Sequence, residues 1–127
     1  MLVEIVSPKK TEFSEEIDFI IIPGSEGDMG VFDNHTPIIS SLDIGIIYLY
    51  KNKKIIRKFL VEKGICEISN NECIILTEGI SDLNEIDLDN MKKNSTKFKN
   101  DPDNHLNYIT ESKKISAIES QYYNSTI

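Results

Sequence analysis

Between residue 1 and about residue 84, apolar positions fall in short runs that often alternate with polar ones. Ile17, Phe19 and Ile21 alternate, as do Ile46, Tyr48 and Tyr50, Phe59 and Val61, Cys66 and Ile68, and Ile74 and Leu76. A period of two marks strands with one face buried. The pattern predicts strands near 2–6, 12–22, 28–32, 36–41, 44–51, 54–62, 65–69 and 72–77. Turn residues punctuate them at the spacing of a sandwich or flattened barrel. Lys51-Asn52-Lys53 and Asn70-Asn71 each read as a hairpin turn, because Asn tolerates a left-handed backbone.

Residues 85–127 change character, so the chain divides into a β domain over 1–84 and a helical segment over 85–127. Asp87 can cap a helix that begins at Leu88, with Leu88, Met91, Ser95 and Phe98 on one stripe. Asn100-Asp101-Pro102-Asp103 is a turn, and a second helix follows from Asn104 to about Gln121. Tyr108, Ile115, Ile118 and Tyr122 share one of its faces, with Leu106 and Ile109 beside it. The two helices form an antiparallel αα-hairpin. The first is short and carries Asn90, Asn94, Ser95 and Thr96, all mediocre helix formers. The hairpin is therefore expected to depend on docking, onto the β domain or onto another protein.

Composition narrows the function. A chain of 127 residues with net charge -7 lacks the basic face of a nucleic-acid binder or a polybasic membrane binder. The run Phe19-Ile20-Ile21-Ile22 stops at Pro23-Gly24, far short of a membrane span, so no direct membrane insertion is expected. Because residues 1–6 already read as a strand, neither a signal nor a transit peptide is expected. Two cysteines are too few for a disulfide framework and fit a reducing cytoplasm. Ile, Lys and Asn number 22, 13 and 11, a bias toward A/T-rich codons that weakens any functional reading of Lys. Residues 1–87 hold 8 basic and 16 acidic side chains, and residues 88–127 hold 6 and 5. The acidic excess therefore lies in the β domain.

Chemical motifs are sparse. His35 and His105 fall in different segments, and no G-x-S-x-G, HExxH, CxxC or EF-hand spacing occurs. Asp33-x-His35 offers two ligands where a zinc site wants three or four. His35 reads as a structural hydrogen-bonding residue. A two-residue turn at Asn70-Asn71 would set Ile68 opposite Cys73 and Cys66 opposite Ile75. The cysteines would then not pair directly, and they read as buried core thiols. The segment Gly24-Ser25-Glu26-Gly27-Asp28-Met29-Gly30 is no phosphate loop, since its carboxylates would repel phosphate. It reads as a tight surface turn, either a contact for a polar or basic partner or simply a solvated loop.

That same segment carries a resemblance. Pro23-Gly24-Ser25-Glu26-Gly27-Asp28-Met29-Gly30-Val31-Phe32 followed by Asn34-His35-Thr36-Pro37-Ile38 resembles the signature of the ε subunit of F-type ATP synthase. That family shows a GSEGD-x-G-V/I turn and then G-H-x-P-L/I. Phe59-Leu60-Val61-Glu62-Lys63-Gly64-Ile65-Cys66-Glu67-Ile68 is similar to its F-x-V-x-G-G-F-x-E-V, and Cys73-Ile74-Ile75-Leu76-Thr77-Glu78 to its V-T-V-L-A-E. The likeness covers residues 1 to about 87, and the tail agrees in layout more than in residues.

The resemblance implies a flattened β-sandwich of about ten strands followed by a helical hairpin. It implies a non-catalytic rotor subunit of the central stalk, with no active site of its own, bound to the γ subunit and the ring of c subunits. It would couple ion-driven rotation to ATP synthesis in the catalytic α/β heads. Ser25, Glu26, Gly27 and Asp28 correspond to the family's c-ring contact, with His35 near that surface. The hairpin lysines Lys92, Lys93, Lys97, Lys99, Lys113 and Lys114 are candidates to meet an acidic segment of the β subunit and hold back hydrolysis. Members that bind ATP carry I-D-x-x-R-A. Here Asn90 and Met91 replace the Arg and Ala, so no cofactor or nucleotide is assigned. The expected place is peripheral, on the cytoplasmic side of a bacterial inner membrane. The alternatives are a stand-alone β-sandwich binding module with a helical tail, or a small metal enzyme using Asp33 and His35.

Overall fold

The computed structural model describes residues 1–98 and 105–125, and side chains within 1–93 and 109–120. Ten strands come first: β1 (Leu2–Val6), β2 (Thr11–Glu16), β3 (Phe19–Gly24), β4 (Gly27–Phe32), β5 (Ile38–Leu42), β6 (Gly45–Lys51), β7 (Lys54–Val61), β8 (Gly64–Ser69), β9 (Glu72–Thr77) and β10 (Ile80–Asp82). A 3-10 turn over Leu83–Glu85 leads into α1 (Leu88–Phe98) and α2 (His105–Ser125).

The strands form one sheet in the order β10-β7-β6-β3-β5-β8-β9-β1-β2, with β4 paired to β3. β1 and β9 run parallel, while the hairpin partners run antiparallel. The sheet curls so that its two ends meet. Phe13 on β2 packs edge-on against Phe59 on β7, with ring centroids 5.9 Å apart. Inside lies one apolar core built from both layers, including Val3, Ile5, Ile20, Ile22, Ile47, Leu49, Ile68 and Ile75. Burying these branched side chains drives the closure.

Three differences from the sequence reading have local causes. The segment 12–22 is two strands, β2 and β3, broken at Ile17-Asp18. Here the chain turns a corner. Ile17 donates its N–H to the Met1 carbonyl and Asp18 donates to Tyr50 O, so the two residues serve different strands. The apolar alternation runs through the corner unbroken and conceals it. The short β10 escaped the reading because three residues carry no period, and its pairing with β7 is non-local. Helix α2 ends at Ser125, beyond the expected Gln121.

The turns follow their residues. Asn52, Lys53, Asn70 and Asn71 all have positive φ, as two-residue hairpin turns demand. Asp87 caps α1, its Oδ1 accepting from the Asn90 N–H at 3.1 Å. The expected turn at residues 100–103, and the side chains of Ser95, Phe98, Leu106, Tyr108 and Tyr122, lie outside the described residues.

The hairpin docks on the β domain. Ile118 of α2 is completely buried against Ile46, Leu60 and Leu83, with Tyr48, Leu88, Met91 and Ala117 around them. This cluster sits on the outer face of β6 and β7, separate from the main core. Ile115 is only half-buried and Ile109 is exposed, so the apolar face of α2 is narrower than its sequence suggests.

Candidate functional site

Ser25 and Glu26 form the tip of the β3–β4 hairpin, where Gly24 faces Gly27. The geometry needs both glycines. Gly27 has φ +125°, and a Cβ on Gly24 would lie 2.8 Å from the Gly27 carbonyl oxygen. The tip is braced from one side, since Ser25 donates its N–H to Ser41 O at 3.1 Å. Ser25, Glu26, Gly27 and Asp28 are all exposed, so both carboxylates face solvent on a rigid support.

His35 does not join that tip. It follows the far end of β4, a strand roughly 17 Å long. Its Nδ1 lies 2.7 Å from Thr36 O. The neighbouring Asn34 N–H donates to Asn71 Oδ1 in the β8–β9 turn. Asp33, the other half of the candidate metal pair, is 2.6 Å from the Met1 ammonium, which Glu16 also approaches at 3.1 Å. Among the described residues, no three His, Cys, Asp or Glu side chains converge as a metal site would require.

A bare apolar strip crosses the outer face of β5, β8, β9 and β1. Ile39, Ile65 and Leu76 are 72%, 50% and 51% exposed. Ile65 lies opposite Leu76, and Leu76 opposite Val6. A cleft of ≈ 540 Å³ continues the strip, walled by Val6, Pro8, Ile65 and Leu76 and edged by Lys63 and Glu78. Apolar patches of this kind mark contact surfaces. The sequence reading missed the strip. Its signal was present in the alternation of β8, where Ile65 falls opposite the buried Cys66 and Ile68.

The hairpin lysines divide. Lys114 Nζ reaches Glu62 Oε1 at 2.5 Å and Glu111 Oε1 at 3.5 Å, so it ties α2 to the end of β7. Lys92 pairs with Glu119 across the two helices at 2.8 Å, and that carboxylate holds its ammonium above the ordinary lysine value. These two are therefore engaged within the chain in the docked state. Lys93 and Lys113 are exposed, and the side chains of Lys97, Lys99 and His105 lie outside the described residues.

The cysteines are buried free thiols, as read. Ile68 faces Cys73 and Cys66 faces Ile75. The diagonal of that register still brings the sulfurs to 3.6 Å. The neighbouring sulfur and burial push the Cys73 thiol up.

A closed β-sandwich with exposed contact surfaces and a docked helical hairpin is the class of protein that this architecture defines. The family model "ATP synthase, Delta/Epsilon chain, beta-sandwich domain" matches residues 1–82. An ATP synthase epsilon chain of Leptospira interrogans is 40% identical over 92 residues, 72% of each chain. That of Pelotomaculum thermopropionicum is 39% identical over 85 residues, 67% of this chain and 63% of the relative. The chain belongs to the delta/epsilon-chain family of ATP synthase. Among solved structures, a Euglena gracilis mitochondrial ATP synthase superposes with TM-score 0.76 at 20% identity, over 98% of this chain and 80% of that one. The central stalk and c-ring of the Tetrahymena thermophila mitochondrial ATP synthase give 0.70 at 15% identity, over 95% of each chain. At such identities these two show a shared fold.

Proposed function

We infer that the chain is a non-catalytic rotor subunit of the central stalk, turning with the γ subunit and the c ring. It passes ion-driven rotation toward ATP synthesis in the α/β heads. The observation that carries this reading is the bare strip of Ile39, Ile65 and Leu76 with its adjoining cleft. Such a face on a rigid sandwich is suited to a lasting apolar contact, and γ is the partner we assign to it. The exposed tip Ser25-Glu26-Gly27-Asp28 is assigned to the polar loops of the c ring, which its carboxylates would meet through charge-assisted hydrogen bonds. His35 lies at the other end of β4 and β5 from this tip, beside the β8–β9 turn, so it is left out of the c-ring contact. No helix among the described residues is long and apolar enough to cross a membrane. In the rotor reading the chain sits peripherally at the cytoplasmic face of a bacterial inner membrane, held through its partners.

The docked hairpin represents the non-inhibiting arrangement in this reading. To reach the heads it must expose Ile118 and break Lys114–Glu62. Lys93 and Lys113 are already solvent-facing, whereas Lys92 and Lys114 gain external partners only after release. No nucleotide is assigned to the hairpin, because Asn90 and Met91 stand where ATP-binding members carry Arg and Ala.

The test is titration of the purified chain onto the cognate catalytic core of α, β and γ subunits, following co-elution and ATP hydrolysis. One copy bound per γ supports the rotor role, and falling hydrolysis adds a working inhibitory hairpin. No binding at micromolar concentration sinks the reading.

A further inference from the structure

Strands β8 and β9 turn four side chains into the core, Cys66 and Ile68 from one and Cys73 and Ile75 from the other. The turn at Asn70-Asn71 fixes their register, with Ile68 opposite Cys73 and Cys66 opposite Ile75. Each cysteine thus directly faces an isoleucine. Twist shortens one diagonal of such a square, and here it brings the two sulfurs to 3.6 Å. That is direct contact. Both thiols are free and completely buried.

As packing, either sulfur is a small apolar group. In contact, the two add a chemistry that neither has alone. Contact with Cys73 lowers the Cys66 thiol, against burial, which raises it. Cys73 is pushed up in turn. Cys66 is therefore the attacking sulfur and Cys73 the resolving one. A disulfide needs its sulfurs at about 2.05 Å and its Cα atoms within roughly 4.4–6.8 Å. Diagonal neighbours of an antiparallel pair stand roughly 7–8 Å apart. Closing the bridge therefore slides β8 along β9 by about 1 Å. The resting fold favours the dithiol, and a thiol reductant readily reopens such a bridge. Ile65 and Leu76 face each other on the outer side of the same two strands, so the slide reaches the apolar strip from beneath.

We propose that Cys66 and Cys73 form a peroxide-sensitive dithiol, which closes to a disulfide across β8 and β9 and shears that hairpin under the apolar strip. The Cys66 sulfur attacks one oxygen of hydrogen peroxide. The O–O bond breaks, the second oxygen leaves as water with the thiol proton, and Cys66 becomes a sulfenic acid. The Cys73 sulfur then attacks the Cys66 sulfur. The S–S bond forms, the S–O bond breaks, and the hydroxyl leaves as water with the Cys73 proton. Two thiols lose two electrons, and one peroxide becomes two waters. Peroxide is little larger than water. Cys73 lies in the second residue pair from the turn, where local opening of the hairpin end admits it. The reaction needs no other subunit, so it stands or falls apart from the rotor reading.

The test treats the folded full chain with hydrogen peroxide, blocks the remaining thiols with iodoacetamide in denaturant and reads the intact mass. The product should be lighter by two hydrogen atoms, with alkylation falling from two sites to none, and dithiothreitol should restore both. Cys73→Ala should stop Cys66 at the sulfenic acid, which dimedone captures. Cys66→Ala should leave Cys73 alkylatable over the same time. A thermal melt checks that each variant folds, and the result on the unaltered chain stands without them. Bridge formation should also shift the backbone amide signals of Ile65 and Leu76 while those of β6 and β7 hold. Thiols that stay alkylatable in the folded chain overturn the proposal, as do sulfinic acid without a bridge, a bridge between two chains, or one that forms only in urea. A bridge that leaves the Ile65 and Leu76 signals in place refutes the shear.

Discussion

Replacing Ile118 by Ala should release the hairpin and leave the sandwich intact. Ile118 is fully buried, and its neighbours Ile46, Leu60 and Leu83 belong to a cluster apart from the main core. The substitution removes three carbons from a closed apolar site, which costs about 2–4 kcal/mol in transfer and cavity terms. At 1.4 kcal/mol per decade, the docked-to-undocked ratio falls roughly 30- to 1,000-fold. Little else compensates. α1 is short and Asn-rich, and Lys114–Glu62 is one partly exposed ion pair. Amide hydrogen exchange of residues 109–120 should therefore rise by that factor, while the amides of β1, β8 and β9 keep their protection. Unchanged exchange in α2 would refute the packing account. Loss of protection in the sandwich at the same step would refute the independence of the two clusters.

Three further outcomes follow from the same geometry. Gly64→Ala should destabilise the sandwich by about 3 kcal/mol, because its Cβ would stand 2.0 Å from the Leu76 carbonyl oxygen. The exposed neighbour Lys63→Gly should change thermal stability by less than about 1 kcal/mol, so a thermal melt of the pair tests which position needs glycine. A double-mutant cycle of Lys114→Met and Glu62→Gln should give a coupling of about 1 kcal/mol for the docked hairpin, shrinking at high salt. Burial first, and then the charge of Asp28 and the neighbouring Tyr50, hold the Tyr48 hydroxyl above its ordinary value. The unfolded chain then loses this proton before the native one does, so stability is full below about pH 10 and falls as pH rises beyond it. A pH series of denaturant melts should show that decline weakened in Tyr48→Phe.

Local chemistry made much of this protein legible in its residues. Asn70-Asn71 determined a two-residue turn, and the turn determined the register that sets Cys66 opposite Ile75. Gly24 and Gly27 announced the tight hairpin tip, Asp87 announced the start of α1, and weak helix propensity announced a hairpin that needs a support. Each of these depends on atoms within a few residues of one another. Other features depend on what meets across the fold. The corner at Ile17-Asp18 exists because β2 pairs with β1 while β3 pairs with β4 and β6. Cys73, Ile74, Ile75 and Leu76 are apolar on both faces, and closure of the sandwich decided that Ile75 is buried while Leu76 faces outward. Lys114 read as a cation awaiting another subunit until folding placed Glu62 beside it. His35 is close to the hairpin tip in sequence, yet an extended β4 carries it to the opposite end of the domain. Turn type, capping and strand content were thus properties of the sequence by itself. Which faces remain bare and which charges are already paired were settled only by long-range contacts, because burial is decided by what packs on top.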